Sequence, residues 1–277
     1  MTKSTRTERT HERTRRSQDG LTLLEVLIAM AIMGVIMIAF TQLFGGSLRA
    51  SSDISARNEL LSEGQIAEQI IVSRLKQAFT VYPPGTSFSM TNTLRTRNTL
   101  RGGQSWTVGV DPIIAMIVPP KGSTSATRCD TDTPNQADKD MCFMFYAYYP
   151  IRRGDFMAGV DPRFAPQPDP ANDDAWLIME YRQYVPDASP VDRSNNRLER
   201  PPSPSQVFGS LEGRTAQILV DYAQPPTRND PPLFDIQPDG SIELNVKMGR
   251  EQRGKMLELP PLTVRVYPRN ALDAPAP

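Results

Sequence analysis

Residues able to carry acid–base or nucleophilic chemistry are few in this chain. Among its 277 residues there is one histidine, His11, and there are two cysteines, Cys129 and Cys142. No Walker loop, G-x-S-x-G or G-x-G-x-x-G pattern occurs. Paired carboxylates of the kind that hydrolyse glycosides remain open, because such pairs converge in space rather than in sequence. With 31 basic and 31 acidic residues, the chain as a whole lacks the electrostatic signature of a nucleic-acid binder.

Glu25 stands out because it lies inside an otherwise apolar run. The run extends over 24 residues from Leu21 to Phe44, and about 20 are enough to cross a bilayer. It shows no polar face, whereas a buried helix of a soluble protein normally does. A carboxylate inside a membrane helix costs about 2.5 to 3.5 kcal/mol on insertion scales. The run therefore predicts a transmembrane helix over 21–44 with a functional carboxylate near its start.

Flanking charges predict the orientation of this helix. Before the run there is a basic excess over Glu8, Glu12 and Asp19, carried by Lys3, Arg6, Arg9, Arg13, Arg15 and Arg16. The far flank begins only with Arg49 and Asp53. Because the positive side stays in the cytoplasm, we expect a single-pass protein of the inner membrane with an extracytoplasmic C-terminal part.

The border between the basic and apolar stretches resembles a known signal. The sequence G-L-T-L-L-E-V-L-I-A-M-A-I, residues 20–32, is similar to the type III signal of type IV pilins and pseudopilins. The resemblance implies that a membrane prepilin peptidase cuts between Gly20 and Leu21 and methylates Leu21, where the family usually has phenylalanine. Residues 1–20 would then be a leader peptide that takes His11 with it. No Ser–His or Cys–His pair and no histidine ligand for zinc would remain.

After such a cut Glu25 becomes the fifth residue of the mature chain. The resemblance implies that its carboxylate neutralises the N-terminal amine of an adjacent subunit during filament assembly. It would also complement the partial positive charge at the start of its own helix. The alternative is an interfacial glutamate that reaches the headgroup water.

The helix is predicted to continue beyond the membrane, over residues 45–82. An apolar stripe follows spacings of three or four residues, through Leu60, Gly64, Ala67, Ile71, Leu75 and Ala78. Pro83, Pro84 and Gly85 end the pattern.

Residues 83–277 are predicted to form a β-rich extracytoplasmic head. Alternation predicts a half-buried antiparallel strand over 241–248, and two strands that are apolar on both faces should lie centrally, at 112–118 and 142–150. Further strands are predicted at 105–110, 175–185 and 262–268, while 215–223 fits either a strand or a short helix. Pro-rich stretches between them indicate surface loops. The fold class is therefore α+β, a long N-terminal helix packed on a head rich in antiparallel sheet.

The two cysteines favour a disulfide. Outside the cytoplasm Cys129 and Cys142 meet oxidising conditions, and a bridge would close a loop of 14 residues. Chain entropy gives such a loop about 3 kcal/mol of stabilisation. The alternative is one buried and one free thiol, and metal binding by two cysteines alone is disfavoured.

Two charged clusters have residue types that could bind a ligand. The stretch between the cysteines carries Asp130, Asp132, Asp138 and Asp140, but Pro134 and Asn135 break the EF-hand pattern, so we expect a solvated acidic loop without calcium. Arg95, Arg97 and Arg101 could touch DNA phosphate, although three arginines in a Thr/Asn-rich loop favour ordinary surface. We predict no metal, no cofactor and no nucleic acid.

The combined expectation is a non-enzymatic subunit of a type IV filament machine. The long helix and large head resemble minor pilins and the J-type minor pseudopilin of type II secretion. The resemblance implies other pilin or pseudopilin subunits, the prepilin peptidase and an inner-membrane assembly platform as partners. The competing hypothesis is a single-pass, membrane-anchored extracytoplasmic enzyme or binding module.

Overall fold

A computed structural model gives the structure of the chain as two compact units, Met1–Ile54 and Ser55–Pro277. One helix, α1 (Leu23–Gln77), contributes to both units. We call Leu23–Ile54 the anchor segment of α1 and Ser55–Gln77 its head segment. The structure describes residues 22–90, 94–119, 142–185, 191–192, 197–198, 204–208 and 214–268.

The head segment of α1 packs through a single stripe. Its buried residues are Ala56, Leu60, Gly64, Ala67, Ile71 and Leu75. The predicted stripe is confirmed, and it begins one turn earlier than predicted, at Ala56. The helix ends at Gln77, short of the predicted boundary at residue 82, because Thr80 and Val81 form a strand; the buried Ala78 follows the helix.

The main sheet of the head has five antiparallel strands in the order β1-β4-β5-β6-β9. These strands are β1 (Thr80–Val81), β4 (Ile114–Val118), β5 (Phe143–Arg152), β6 (Trp176–Val185) and β9 (Thr215–Ala223). The expectation that 112–118 and 142–150 lie inside the sheet is confirmed, and 215–223 is a strand rather than a helix.

Both faces of this sheet are covered, which explains why its inner strands are apolar throughout. Side chains alternate along a strand, so on β5 Tyr146 and Tyr148 join the core formed with the head segment of α1. Phe145, Ala147 and Tyr149 belong to a second core on the opposite face. That second core is completed by a hairpin, β2 (Ser87–Ser89) with β3 (Ser105–Thr107), and by two short helices, α2 (Arg153–Met157) and α3 (Pro204–Val207).

A smaller antiparallel sheet completes the helix-side core. It has the order β10-β11-β14, with β10 (Phe234–Ile236), β11 (Ile242–Val246) and β14 (Leu262–Val266). Gly64 allows it to approach the helix, since a Cβ at Gly64 would lie 2.9 Å from Leu262 Cδ1 and 3.1 Å from Met248 Cγ. The remaining strands form hairpins, β7 (Val191–Asp192) with β8 (Arg197–Leu198), and β12 (Gly249–Gln252) with β13 (Lys255–Glu258).

One expectation about the C-terminal half of the head was wrong, and another holds with one exception. β10 lies in a Pro-rich stretch that was interpreted as loop, because its pairing with β11 supplies order that the local sequence does not show. β11 is antiparallel as predicted and shows the predicted alternation, since Ile242, Leu244 and Val246 are buried while Glu243 is only partly so; Asn245 is the exception. Its polar Asn245 is only 8 % exposed, donates to the carbonyl of Pro232 and accepts from Thr263.

Candidate processing and assembly site

The start of α1 is closed by a reciprocal pair of hydrogen bonds between Thr22 and Glu25. The backbone N–H and the hydroxyl of Thr22 donate to Glu25 Oε2 at 3.0 and 3.1 Å, and Glu25 N donates back to Thr22 Oγ1 at 3.3 Å. This arrangement is a capping box, which satisfies backbone donors that a helix start leaves unpaired. The carboxylate thus already has a structural role within its own chain.

The sequence contains the signal for this cap, which our sequence analysis missed. Thr22, Leu23, Leu24 and Glu25 match the pattern Ser/Thr-x-x-Glu/Gln that precedes an apolar helix. Helix capping uses the Glu25 carboxylate within its own chain. Pairing with a neighbouring subunit would use the same carboxylate, so the two roles are compatible.

The rest of the anchor segment presents apolar side chains on every side. Leu23, Met33, Val35 and Leu43 are each at least 67 % exposed. α1 is long and apolar enough to cross a membrane, and its most apolar 18-residue window has no buried residue. The hydroxyl of Thr41, a polar break in the run, donates to the carbonyl of Met37 at 2.7 Å, so this hydroxyl has an acceptor within its own helix.

Comparison with known families finds the same region. Residues 15–41 match the prokaryotic N-terminal methylation motif, the signal of type IV pilins. No curated protein and no solved structure matches the chain. The chain therefore carries a type IV pilin signal at the start of a single-pass membrane helix. That signal implies processing by prepilin peptidase and assembly with other pilins.

The predicted cleavage point itself, Gly20 and Leu21, lies outside the described residues. The described residues begin at Thr22, and Glu25 lies in the first turn of α1, where a helix start favours an acidic side chain. The capping box therefore lies just beyond the predicted cut.

In the head, the structure forms a buried ionic cluster that the sequence did not reveal. Arg153 is fully buried at the start of α2, directly after β5, and its Nε lies 3.0 Å from Asp221 Oδ1 on β9. Its two terminal nitrogens donate to the carbonyls of Asp169 and Gln167. A buried guanidinium requires this full set of acceptors, because an unpaired buried charge is strongly unfavourable.

Tyr222 ties the cluster together. The centroid of its ring lies 5.1 Å from the guanidinium carbon of Arg153 and 4.6 Å from that of Arg250. Its hydroxyl donates to Asp169 Oδ2, which also accepts from Arg250 Nε at 3.1 Å. Tyr222 has a positive φ of 59°, a costly conformation for a bulky residue. These contacts hold Tyr222 in place, and the cluster joins β9 to β12.

Two of the three arginines considered for DNA contact are engaged within the chain. Arg95 Nη1 donates to the carbonyl of Ala216 at 2.9 Å. Arg101 Nη1 lies 3.6 Å from Asp111 Oδ1, while Arg97 is exposed. The contact of Arg95 anchors its loop to the edge strand β9, which is a structural use of the residue.

The predicted disulfide and acidic loop can be placed only in part. Cys142 is buried directly before β5, at 1 % exposure, whereas Cys129 and Asp130, Asp132, Asp138 and Asp140 lie outside the described residues. The bridge therefore stays a prediction. Within the part of the chain that the structure describes, no three His, Cys, Asp or Glu side chains gather in a way that could hold a metal ion.

Proposed function

We propose that the chain is a non-enzymatic minor pilin or minor pseudopilin, a subunit of a type IV filament machine such as a type IV pilus or a type II secretion pseudopilus. The observation that carries the proposal is the methylation motif over residues 15–41. The exposed apolar anchor segment supports it, because a side-chain surface apolar on all sides suits first lipid and then neighbouring helices. The head, which packs on a single stripe of α1, is large. Its size supports a minor subunit rather than a short major subunit.

In this proposal the head lies outside the cytoplasm. The basic excess before Gly20 favours a cytoplasmic N-terminus. The peptidase removes residues 1–20 and leaves a methylated Leu21. Glu25 then pairs with the amine of a neighbouring subunit while it caps its own helix through Thr22.

The chemical state of the mature N-terminus tests the proposal. Mass spectrometry of the chain purified from membranes of a host that has the peptidase should show a methylated N-terminal peptide beginning at Leu21. A host without the peptidase should give a chain that retains residues 1–20. An unmodified chain that retains its leader in both hosts would contradict the proposal and favour a plain membrane-anchored enzyme or binding module.

Co-purification separates the possible machines. The chain should recover other pilin or pseudopilin subunits and the inner-membrane assembly platform from solubilised membranes. The identity of those partners distinguishes a pilus, a secretion pseudopilus and a DNA-uptake filament. Recovery of a processed chain with no such partner would contradict the filament role while leaving the processing assignment intact.

A further inference from the structure

The carboxyl group of Glu63 has unusual surroundings for a charged side chain. Glu63 lies on the head segment of α1, one residue before the tightly packed Gly64. Its Oε2 atom is shut off from solvent and accepts no hydrogen bond within the described residues. A buried carboxylate oxygen normally has a donor, because leaving it unpaired costs its desolvation energy.

The charged groups around Glu63 come from three elements. Glu59 precedes it by one turn of α1, Asp221 faces it from β9, and Arg250 faces it from β12. Arg250 is turned toward other carboxylates, since its Nε lies 3.1 Å from Asp169 and its Nη1 lies 3.9 Å from Glu59. Glu63 thus has two negatively charged neighbours, Glu59 and Asp221. Its one cationic neighbour, Arg250, also contacts other carboxylates.

Asp221, in contrast, has its own partners. Arg153 Nε lies 3.0 Å from its Oδ1, and the backbone N–H of Tyr222 donates to the same oxygen at 2.8 Å. Burial raises the pKa of Asp221 even so, while Arg153 opposes that rise. Because a guanidinium stabilises the ionised form of Asp221, the less compensated carboxyl group of the pair is Glu63.

The pKa of Glu63 is correspondingly raised above 4.5, its ordinary value. Burial is the largest cause, followed by the negative charges of Asp221 and Glu59. The backbone N–H of Asp221 and the guanidinium of Arg250 act in the opposite direction and are outweighed.

From this geometry we propose that Glu63 is a pH-sensitive contact that secures the first turns of the head segment to β9 when it carries a proton and loosens them when it ionises. Protonation removes the repulsion from Asp221 and Glu59. It also gives the carboxyl group an O–H that can donate a hydrogen bond. Ionisation places a second negative charge near Asp221, on a carboxyl group whose Oε2 atom is out of contact with solvent. This inference does not depend on the proposed filament role.

The sign of the pH effect follows from linkage. A carboxyl group with a higher pKa in the docked state binds its proton more tightly there than in the opened state. Its stabilisation of the docked helix is complete below pH 4.5, the ordinary value, and is lost as the pH rises through the docked-state pKa. Between these two values the opening equilibrium changes by up to about tenfold per pH unit, and above them it is constant.

Hydrogen exchange of the full-length chain in detergent micelles tests the proposal. Protection of peptides covering residues 55–65 is compared between wild type and Glu63→Gln at each pH from 4 to 8, so that the intrinsic pH dependence of exchange cancels. The ratio of wild-type to variant protection should be highest at acidic pH and should fall severalfold toward pH 8. A ratio that does not change with pH would show that Glu63 is merely a packing or hydrogen-bonding residue and would overturn the proposal.

A second variant, Glu59→Gln, tests the proposal even if Glu63→Gln alters the fold. Glu59→Gln removes a like charge from a side chain that is 61 % exposed, so it leaves the core untouched. It should move the midpoint of the wild-type pH dependence to lower pH, because it lowers the pKa of Glu63. An unchanged midpoint, or one that moves to higher pH, would also overturn the proposal.

Discussion

The anchor and head segments belong to one helix, yet their apolar side chains differ completely in exposure. In the anchor segment Leu23 and Leu43 are 79 and 71 % exposed, whereas in the head segment Leu60 and Ile71 are 2 and 0 % exposed. The head segment has its apolar residues on one stripe, which the sheets cover. The anchor segment has them all round, so no single protein surface can cover them. The difference shows that the angular distribution of apolar residues, more than their number, indicates what surrounds a helix.

The two segments should therefore respond separately to mutation. Changes near the start of the anchor segment should alter processing and assembly without changing the stability of the head. Changes under the head segment should alter stability without changing processing. Each variant below should change only one of these properties. A change in the other property would contradict the difference between the two segments.

The largest expected effect is at the cleavage point. Gly20→Glu should abolish processing, because the peptidase needs close approach to the backbone at this border, while Gly20→Ala should retain part of it. Gel mobility and intact mass distinguish the precursor from the mature chain. Mature-sized protein from Gly20→Glu would show that the border is not the cleavage site.

The next largest effect is expected at Glu25. Glu25→Gln should still insert into the membrane, because loss of a charge eases membrane residence. It also keeps an acceptor for Thr22 and so preserves the capping box. Assembly should weaken by about 3 to 5 kcal/mol, since the amine of the neighbour loses its partner. Recovery of partner subunits at equal membrane levels is the measurement.

Thr22→Ala is the matched control for Glu25→Gln. It removes the capping hydroxyl, at a cost of about 0.5 to 2 kcal/mol, but it keeps the carboxylate. If Thr22→Ala lost as many partners as Glu25→Gln, the loss of partners would not be specific to the charge of Glu25. Equal recovery from Glu25→Gln and wild type would rule out charge pairing as the role of Glu25.

In the head, the predicted bridge between Cys129 and Cys142 should have an effect of intermediate size. Reduction should raise the mass by two hydrogens and lower the free energy of unfolding by about 3 kcal/mol. Processing should not change. Two thiols that react with an alkylating agent before reduction, in protein taken from outside the cytoplasm, would rule out the bridge.

The smallest effect is expected at Gly64, where the added side chain would meet Leu262 and Met248. Gly64→Val should destabilise the head by about 1 to 3 kcal/mol through overpacking. For a domain of this size that corresponds to a Tm lower by about 2 to 4 °C for each kcal/mol. Gly46→Val is the matched control, because a Cβ there meets no atom of the described residues within 4 Å. A similar loss of Tm in both variants would show that packing against Leu262 and Met248 is not the cause of the effect at Gly64.

Much of the fold could be predicted because it rests on short-range periodicity. The stripe from Leu60 to Leu75 follows from spacings of three and four residues, and the interior position of β4 and β5 follows from their apolar character on both faces. β10 could not be predicted, since a three-residue strand in a Pro-rich stretch is specified by its partner β11. The capping box was predictable in principle from Thr22 and Glu25.

The sequence by itself determined that this chain has a membrane-spanning helix with a carboxylate at its start, because hydrophobicity and local spacing need no tertiary partner to be read. Only the tertiary structure decided which charges meet in the head. Arg153 and Asp221 are 68 residues apart in sequence, and Glu63 meets Asp221 only because α1 packs across β9. Charges so distant in the chain show no spacing pattern, and their pKa values depend on burial that only the assembled core creates.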